Sequence, residues 1–204
     1  MINISQLLKI DVPIILASQS PRRKKLLEQL GFDFRIIPAS IEENGLPEMP
    51  PELLAKELAL RKAFSVAKKL NEKAIVLGAD TIVTLYDKIL NKPEDKADAF
   101  RMLRTLSGET HIVYTGIALV EAPGLRQVST FQETEVTFRE LDEDEIIAYV
   151  ETGSPLDKAG AYGIQDDFGA VFVKEIRGCY YNIVGLPLEL LYRMMKEFLD
   201  KKKF

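Results

Sequence analysis

The chain has 204 residues, is 47% hydrophobic and 28% charged, and carries a formal net charge of −4. That is globular composition with enough apolar material for a sizeable core, and the acidic balance argues against a broad electrostatic grip on nucleic acid. One cysteine, Cys179, excludes a disulfide framework and a thiolate-rich zinc site. The start, "MINISQLLKIDVP", lacks the basic stretch and long apolar core of a leader, and no run approaches the roughly 20 apolar residues of a membrane span. A soluble cytoplasmic protein is expected, with neither membrane nor nucleic acid as partner.

"VPIILAS" (12–18) reads as a buried strand, a short β-branched run that ends in a polar turn. Ser20 is placed to cap the next helix, Pro21 suits its first position, Leu26, Leu27 and Leu30 form its inner stripe, and Gly31 closes it. "FDFRIIPAS" (32–40) predicts a second strand and "ENGLPEMPP" (43–51) a turn. "PELLAKELALRKAFSVAKKL" (51–70) predicts a long helix with proline at its start. "AIVLGADTIVTLYDKIL" (74–90) reads as a strand, a polar interruption and a hairpin, and "DKADAFRMLRTL" (95–106) as a helix.

"HIVYTGIALVE" (111–121) and "QVSTFQETEVTFRE" (127–140) predict two long antiparallel strands around the turn "APGLR". "LDEDEIIAYVETG" (141–153) predicts a helix with a capping box, Asp142 with Glu145, ended by Gly153. "AVFVKEI" and "YYNIV" predict further strands, and a last helix runs from about Pro187 toward the basic end "KKKF". Helices and strands are mixed rather than strictly alternating, which predicts an α/β class with a mixed sheet.

The stretch "LASQSPRRKKLL" puts Arg22 and Arg23 in the first turn of a helix, at the positive end of its dipole. Each cation there costs about 0.3–1 kcal/mol. A bound polyanion reverses that sign. Free N–H groups at the helix start, the hydroxyls of Ser18 and Ser20, and two guanidinium forks suit phosphate oxygens. The stretch lacks the glycine-rich frame and Lys-Ser/Thr ending of a Walker loop. Two solvated arginines beside a helix cap are the plain alternative.

"LASQSPRR", "GADTIV" (78–83), "NKPEDKADAFRMLRTLSGETHIVYTGIAL" (91–119), "ETGSPLDKAGAYGIQ" (151–165) and "GCYYNIVGLPLELL" (178–191) together resemble the Maf family of nucleotide pyrophosphatases, over nearly the whole chain and in order. The form "DKAGAYGIQ" is similar to the branch acting on dTTP and UTP. The resemblance implies a single Maf-like domain over 1–204, with room for two lobes. Its implied fold is an elongated mixed β-sheet with flanking helices and a central cleft, like inosine triphosphate pyrophosphatase. It also implies a homodimer, a divalent cation (Mg²⁺, Mn²⁺ or Co²⁺), and hydrolysis of a nucleoside triphosphate to the monophosphate and pyrophosphate. Modified pyrimidine nucleotides are further candidate substrates.

The resemblance also implies roles. Asp80 is the proton acceptor; of the acidic pair Glu42 and Glu43 after the second strand, Glu43 matches the family's acidic position and holds metal or water together with Asp80. Lys62 and Lys92 contact the triphosphate alongside Ser18, Ser20, Arg22 and Arg23. Arg22, Thr81 and Gln165 set substrate choice; an amide has the donors and acceptor that a pyrimidine edge requires. Lys62 lies between Leu58 and Val66 at i−4 and i+4, where a snorkelling lysine is the plain alternative. Asp157 and Lys158 are expected to order the glycine-containing loop, Tyr162 to pack, and His111, the single histidine, to serve structure. The stretch "IQDDFGAVFV" departs from the family pattern by an apparent extra residue at Asp166 and Asp167, which bears on base preference more than on the reaction. The rival reading is a non-catalytic nucleotide-binding regulator of cell division, which needs the cationic loop but not the acids.

Overall fold

The structure is a computed structural model that describes residues 3–41, 48–86, 88–165 and 167–200. In chain order the elements are α1 (Ile4–Leu7), β1 (Ile14–Leu16), α2 (Pro21–Gln29), β2 (Phe34–Ile36), α3 (Pro51–Ala67), β3 (Ala74–Leu85), β4 (Lys88–Leu90), α4 (Lys96–Leu106), β5 (Thr110–Ala122), β6 (Gln127–Phe138), α5 (Glu143–Glu151), β7 (Val173–Arg177), α6 (Tyr180–Val184) and α7 (Leu188–Leu199). Short 3₁₀ turns occupy Ser154–Asp157, Ala159–Ala161 and Asp167–Phe172.

The strands form one seven-stranded sheet in the order β2-β1-β3-β5-β6-β7, with β4 paired to β3. β1 runs parallel to β2 and β3, whereas β3/β4 and β6/β7 are antiparallel, so the sheet is mixed as expected. All three β1 residues are buried, as an interior parallel strand requires, which accounts for its unbroken apolar run.

The chain divides into two compact units. The first comprises Met1–Asp80, Thr115–Gln132 and Gly185–Phe204. The second comprises Thr81–Tyr114 and Glu133–Val184.

In the first unit, α3 rests on a floor of small residues, with Ala59, Ala63, Val66 and Ala67 against Ile15, Ala17, Val76 and Ala118. Two strand glycines allow this approach. A Cβ at Gly78 would stand 2.1 Å from the Ala59 carbonyl oxygen, and one at Gly116 would stand 2.1 Å from that of Ala55. Both distances are inside van der Waals contact, so the helix backbone lies directly on the strands.

The second unit has an aromatic core instead. Phe138, Tyr149, Phe172, Tyr162 and His111 are all buried, and their rings meet edge-on or tilted. The capping box of α5 forms as read, with Asp142 and Glu145 serving each other's backbone.

Two expectations are corrected here. "YYNIV" is helix α6, not a strand. Asn182 is fully buried, and its amide donates to the Val113 carbonyl and to Thr134 Oγ1, both at 2.9 Å. A buried amide committed to two partners outweighs the β-propensity of its tyrosine and isoleucine neighbours. "AVFVKEI" becomes a strand only from Val173. Before it, Arg139 holds the 3₁₀ turn by donating its backbone N–H to the Phe172 carbonyl and its Nε–H to that of Val171, both at 2.9 Å.

Candidate active site

In the first unit, β1 ends at Leu16 and the chain turns at Ser18 into α2. Ser20 caps that helix, its Oγ accepting from the Arg23 N–H at 3.4 Å, and Pro21 occupies the first position. Ser18 Oγ accepts twice, from the Ser20 N–H at 3.2 Å and from Arg23 Nη1 at 3.1 Å. With its lone pairs so used, the Ser18 hydroxyl is left as a donor, the role that a phosphate oxygen can meet.

Arg23 is fastened at a second point, its Nε donating to the Gly185 carbonyl at 2.8 Å. Burial pushes the guanidinium below the ordinary arginine value; Asp80 opposes that shift and Arg22 adds to it. Arg23 therefore stands within electrostatic reach of both, charged and partly desolvated.

Asp80 lies two residues beyond Gly78 on β3, and so on the same face of the strand. Lys62 lies on α3 between the alanines that press on Gly78. Its Nζ donates to Asp80 Oδ1, and the two side chains are only 18% and 14% exposed. The close helix–strand approach sets this pair. A longer spacing would carry Lys62 away from the carboxylate.

Among the described residues, Lys62 pairs with Asp80, and Arg23 lies within electrostatic reach of both Asp80 and Arg22, so cationic side chains gather about this carboxylate in a chain whose net charge is −4. Such a cluster, edged by hydroxyl donors, is suited to a polyanion.

In the second unit, Thr81 is half-buried on β3, and Lys92 is exposed just after β4, ahead of the buried Pro93. The carbonyl of Asn91, next to Lys92, accepts the Gly160 N–H at 3.2 Å. Gln165 is half-buried in the turn that follows Ile164. Lys158 is itself buried, and its Nζ donates to the Ser154 carbonyl at 2.6 Å and to Asp157 Oδ1 at 2.7 Å, so it staples the loop as expected.

Burial drives the His111 pKa down to about 3, so its ring is neutral near pH 7. Glu43 lies outside the described residues, as do Glu42 and Asp166.

Sequence reasoning missed the Gly185 carbonyl. Gly185 stood only inside the quoted motif "GCYYNIVGLPLELL", where its Gly-Leu-Pro run was the available signal of a turn, and in the structure it has φ 112°. It also missed Gly78 as the spacer that sets the Lys62–Asp80 pair.

Among the described residues no three acidic, imidazole or thiol side chains converge on one point. Asp80 offers hard oxygen donors within the cluster, with its Oδ1 accepting from Lys62. Mg²⁺ and similar ions bind through one or two carboxylates plus substrate phosphates and water, so this donor set fits such an ion once a triphosphate is bound. Among the described residues no helix is long and apolar enough to cross a membrane.

A sequence model of Maf-like proteins matches residues 13–198. The chain is 52% identical over 185 residues to a dTTP/UTP pyrophosphatase of Bacillus anthracis, covering 91% of this chain and 95% of that one. It is 49% identical over 187 residues to a dTTP/UTP pyrophosphatase of a Thermoanaerobacter species, covering 92% and 97%. Among solved structures, a HAM1 protein from Coxiella burnetii superposes with a TM-score of 0.52 at 20% identity, covering 91% of this chain and 99% of that one. The Staphylococcus aureus Ham1 protein gives 0.50 at 16%, with the same coverage.

Proposed function

The chain belongs to the Maf family, and from that premise we propose that it hydrolyses nucleoside triphosphates between the α and β phosphates, with dTTP and UTP as substrates. The observation that carries the reading is the Lys62–Asp80 pair, set beside Arg23 and the Ser18–Ser20 turn in a cationic cluster.

Arg22, Arg23 and Lys62 neutralise the triphosphate, and Lys92 is a further phosphate contact on family resemblance alone. The Ser18 and Ser20 hydroxyls and the helix N-terminus orient its oxygens. Asp80, held by Lys62, takes a proton from the attacking water. The water oxygen bonds to the α-phosphorus as the α–β anhydride bond breaks and pyrophosphate departs with the bridging oxygen.

Asp80, and Glu43 on family resemblance, would hold a divalent cation, which would supply further charge neutralisation at the triphosphate and a lowered pKa for the attacking water. On family resemblance, Thr81, Gln165 and Arg22 select the base. A homodimer working in the cytoplasm completes the reading, on resemblance alone; light scattering of the purified protein tests the dimer.

The test is purified protein against a panel of triphosphates with Mg²⁺, Mn²⁺ or Co²⁺, with phosphorus products identified. Pyrophosphate and monophosphate are expected, and orthophosphate as the primary product would reject the bond assignment. Asp80→Asn is expected to lower kcat by about 10²–10⁴-fold while nucleotide binding persists. A non-catalytic regulator would show no turnover to lose.

A further inference from the structure

The loop that ends at Gln165 is tied down at closely spaced points within the second unit. The Gly160 N–H reaches the Asn91 carbonyl at 3.2 Å. Two residues on, the Tyr162 hydroxyl and His111 Nε2 share a hydrogen bond of 2.7 Å, with both side chains buried. The Gly163 N–H then reaches Tyr149 Oη at 3.3 Å. The ties run to the segment bearing Lys92, to β5 and to α5.

The ring contacts reinforce them. His111 stands edge-on to Phe138 at 5.0 Å and to Tyr162 at 5.3 Å. Tyr149 also meets the chain after the turn. A Cβ at Gly169 would come 2.8 Å from Tyr149 Oη and 2.8 Å from the Gly163 carbonyl oxygen. The backbone therefore leaves this hydroxyl at Gly163 and returns to it at Gly169. Gln165 falls between those two pinned points.

We propose that the buried His111–Tyr162 hydrogen bond, with Tyr149 beside it, positions Gln165 and thereby sets base selectivity. These are positioning residues, because neither His111 nor Tyr162 is exposed enough to meet a substrate. Burial keeps the imidazole neutral and pushes the Tyr162 phenol well above its ordinary range, so the bond persists unchanged across the working pH of a cytoplasmic enzyme. The proposal rests on the reading of Gln165 as a base-selecting residue.

The test is Tyr162→Phe, which keeps the ring and its packing and removes only the hydroxyl. The readout is the ratio of kcat/KM for dTTP to that for dATP. Expected is a fall of about tenfold, carried by a raised KM for dTTP, because one misplaced hydrogen-bonding partner is worth about that much. Inhibition by inorganic tripolyphosphate, which has no base, is expected to stay within twofold of wild type.

A dTTP/dATP ratio within twofold of wild type overturns the proposal, whether or not thermal stability falls. So does a matched loss of tripolyphosphate inhibition, which marks general damage. Gln165→Ala separates the underlying reading. If that variant keeps the wild-type ratio, Gln165 does not select the base and the reading itself fails; if it loses the ratio while Tyr162→Phe keeps it, only the positioning role fails.

Discussion

The two units hold their functional groups by opposite means. In the first, a charged pair and a desolvated arginine are fixed by backbone contact: α3 lies on Gly78, and Arg23 is fastened to Ser18 and to the Gly185 carbonyl. In the second, a loop is fixed by neutral groups, two tyrosine hydroxyls and an imidazole among packed rings. Charged groups are free to respond to a charged ligand, whereas neutral buried bonds are indifferent to salt and to pH near 7. On the proposed function, the charged set serves the triphosphate and the neutral set serves the loop that bears Gln165.

The sharpest way to break this contrast is Gly78→Ala. A methyl group there meets the Ala59 carbonyl at 2.1 Å and the Ala63 nitrogen at 2.8 Å, neither of which can swing aside. The helix must lift, carrying Lys62 from Asp80. Expected is a stability loss above about 3 kcal/mol, read as a Tm drop of about 6–12 °C, together with loss of turnover. Gly124→Ala, at a position with nothing within 4 Å, is expected to change neither. If Gly78→Ala keeps both stability and activity, backbone contact does not place the pair.

Next in size is the pair itself. Lys62→Met leaves Asp80 largely buried without its ammonium partner and is expected to cost about 2–3 kcal/mol by urea unfolding, below the usual figure for a fully buried pair because both groups retain some exposure. Adding Asp80→Asn removes the stranded charge. The double variant is therefore expected to be more stable than Lys62→Met alone, and strict additivity would show that the two side chains are not coupled.

Legibility in the sequence followed the same divide. The placement of Arg22 and Arg23 in the first turn of a helix was readable, from the Ser20 cap and Pro21 ahead of them. The mixed sheet was readable from an order of helices and strands that does not strictly alternate, and the capping box of Asp142 and Glu145 was readable from its spacing. Close approach was not readable, because a glycine in a strand looks the same whether it faces solvent or, as Gly78 does, a helix backbone. Nor was the fate of "YYNIV" readable, since it turns on where Asn182 finds its two acceptors, both distant in the chain. The sequence predicts only that Tyr162 packs, and its distance to His111 reveals the hydroxyl's partner.

The smallest expected effect concerns His111 and acid. Its folded pKa of about 3 lies below the unfolded value of 6.5. The unfolded chain therefore gains a proton as pH falls through 6.5, and the folded chain does not until about pH 3. Stability contributed by the neutral ring is complete above pH 7 and declines below 6.5. Between pH 7 and pH 5 the loss from this one group comes to about 2 kcal/mol. His111→Gln, which cannot titrate, is expected to flatten the stability curve over that window by the same amount, even if its stability at pH 7 is lower. Equal slopes in the two proteins would mean that the imidazole takes up its proton in the folded state, and the neutral tie to Tyr162 would then not survive mild acid.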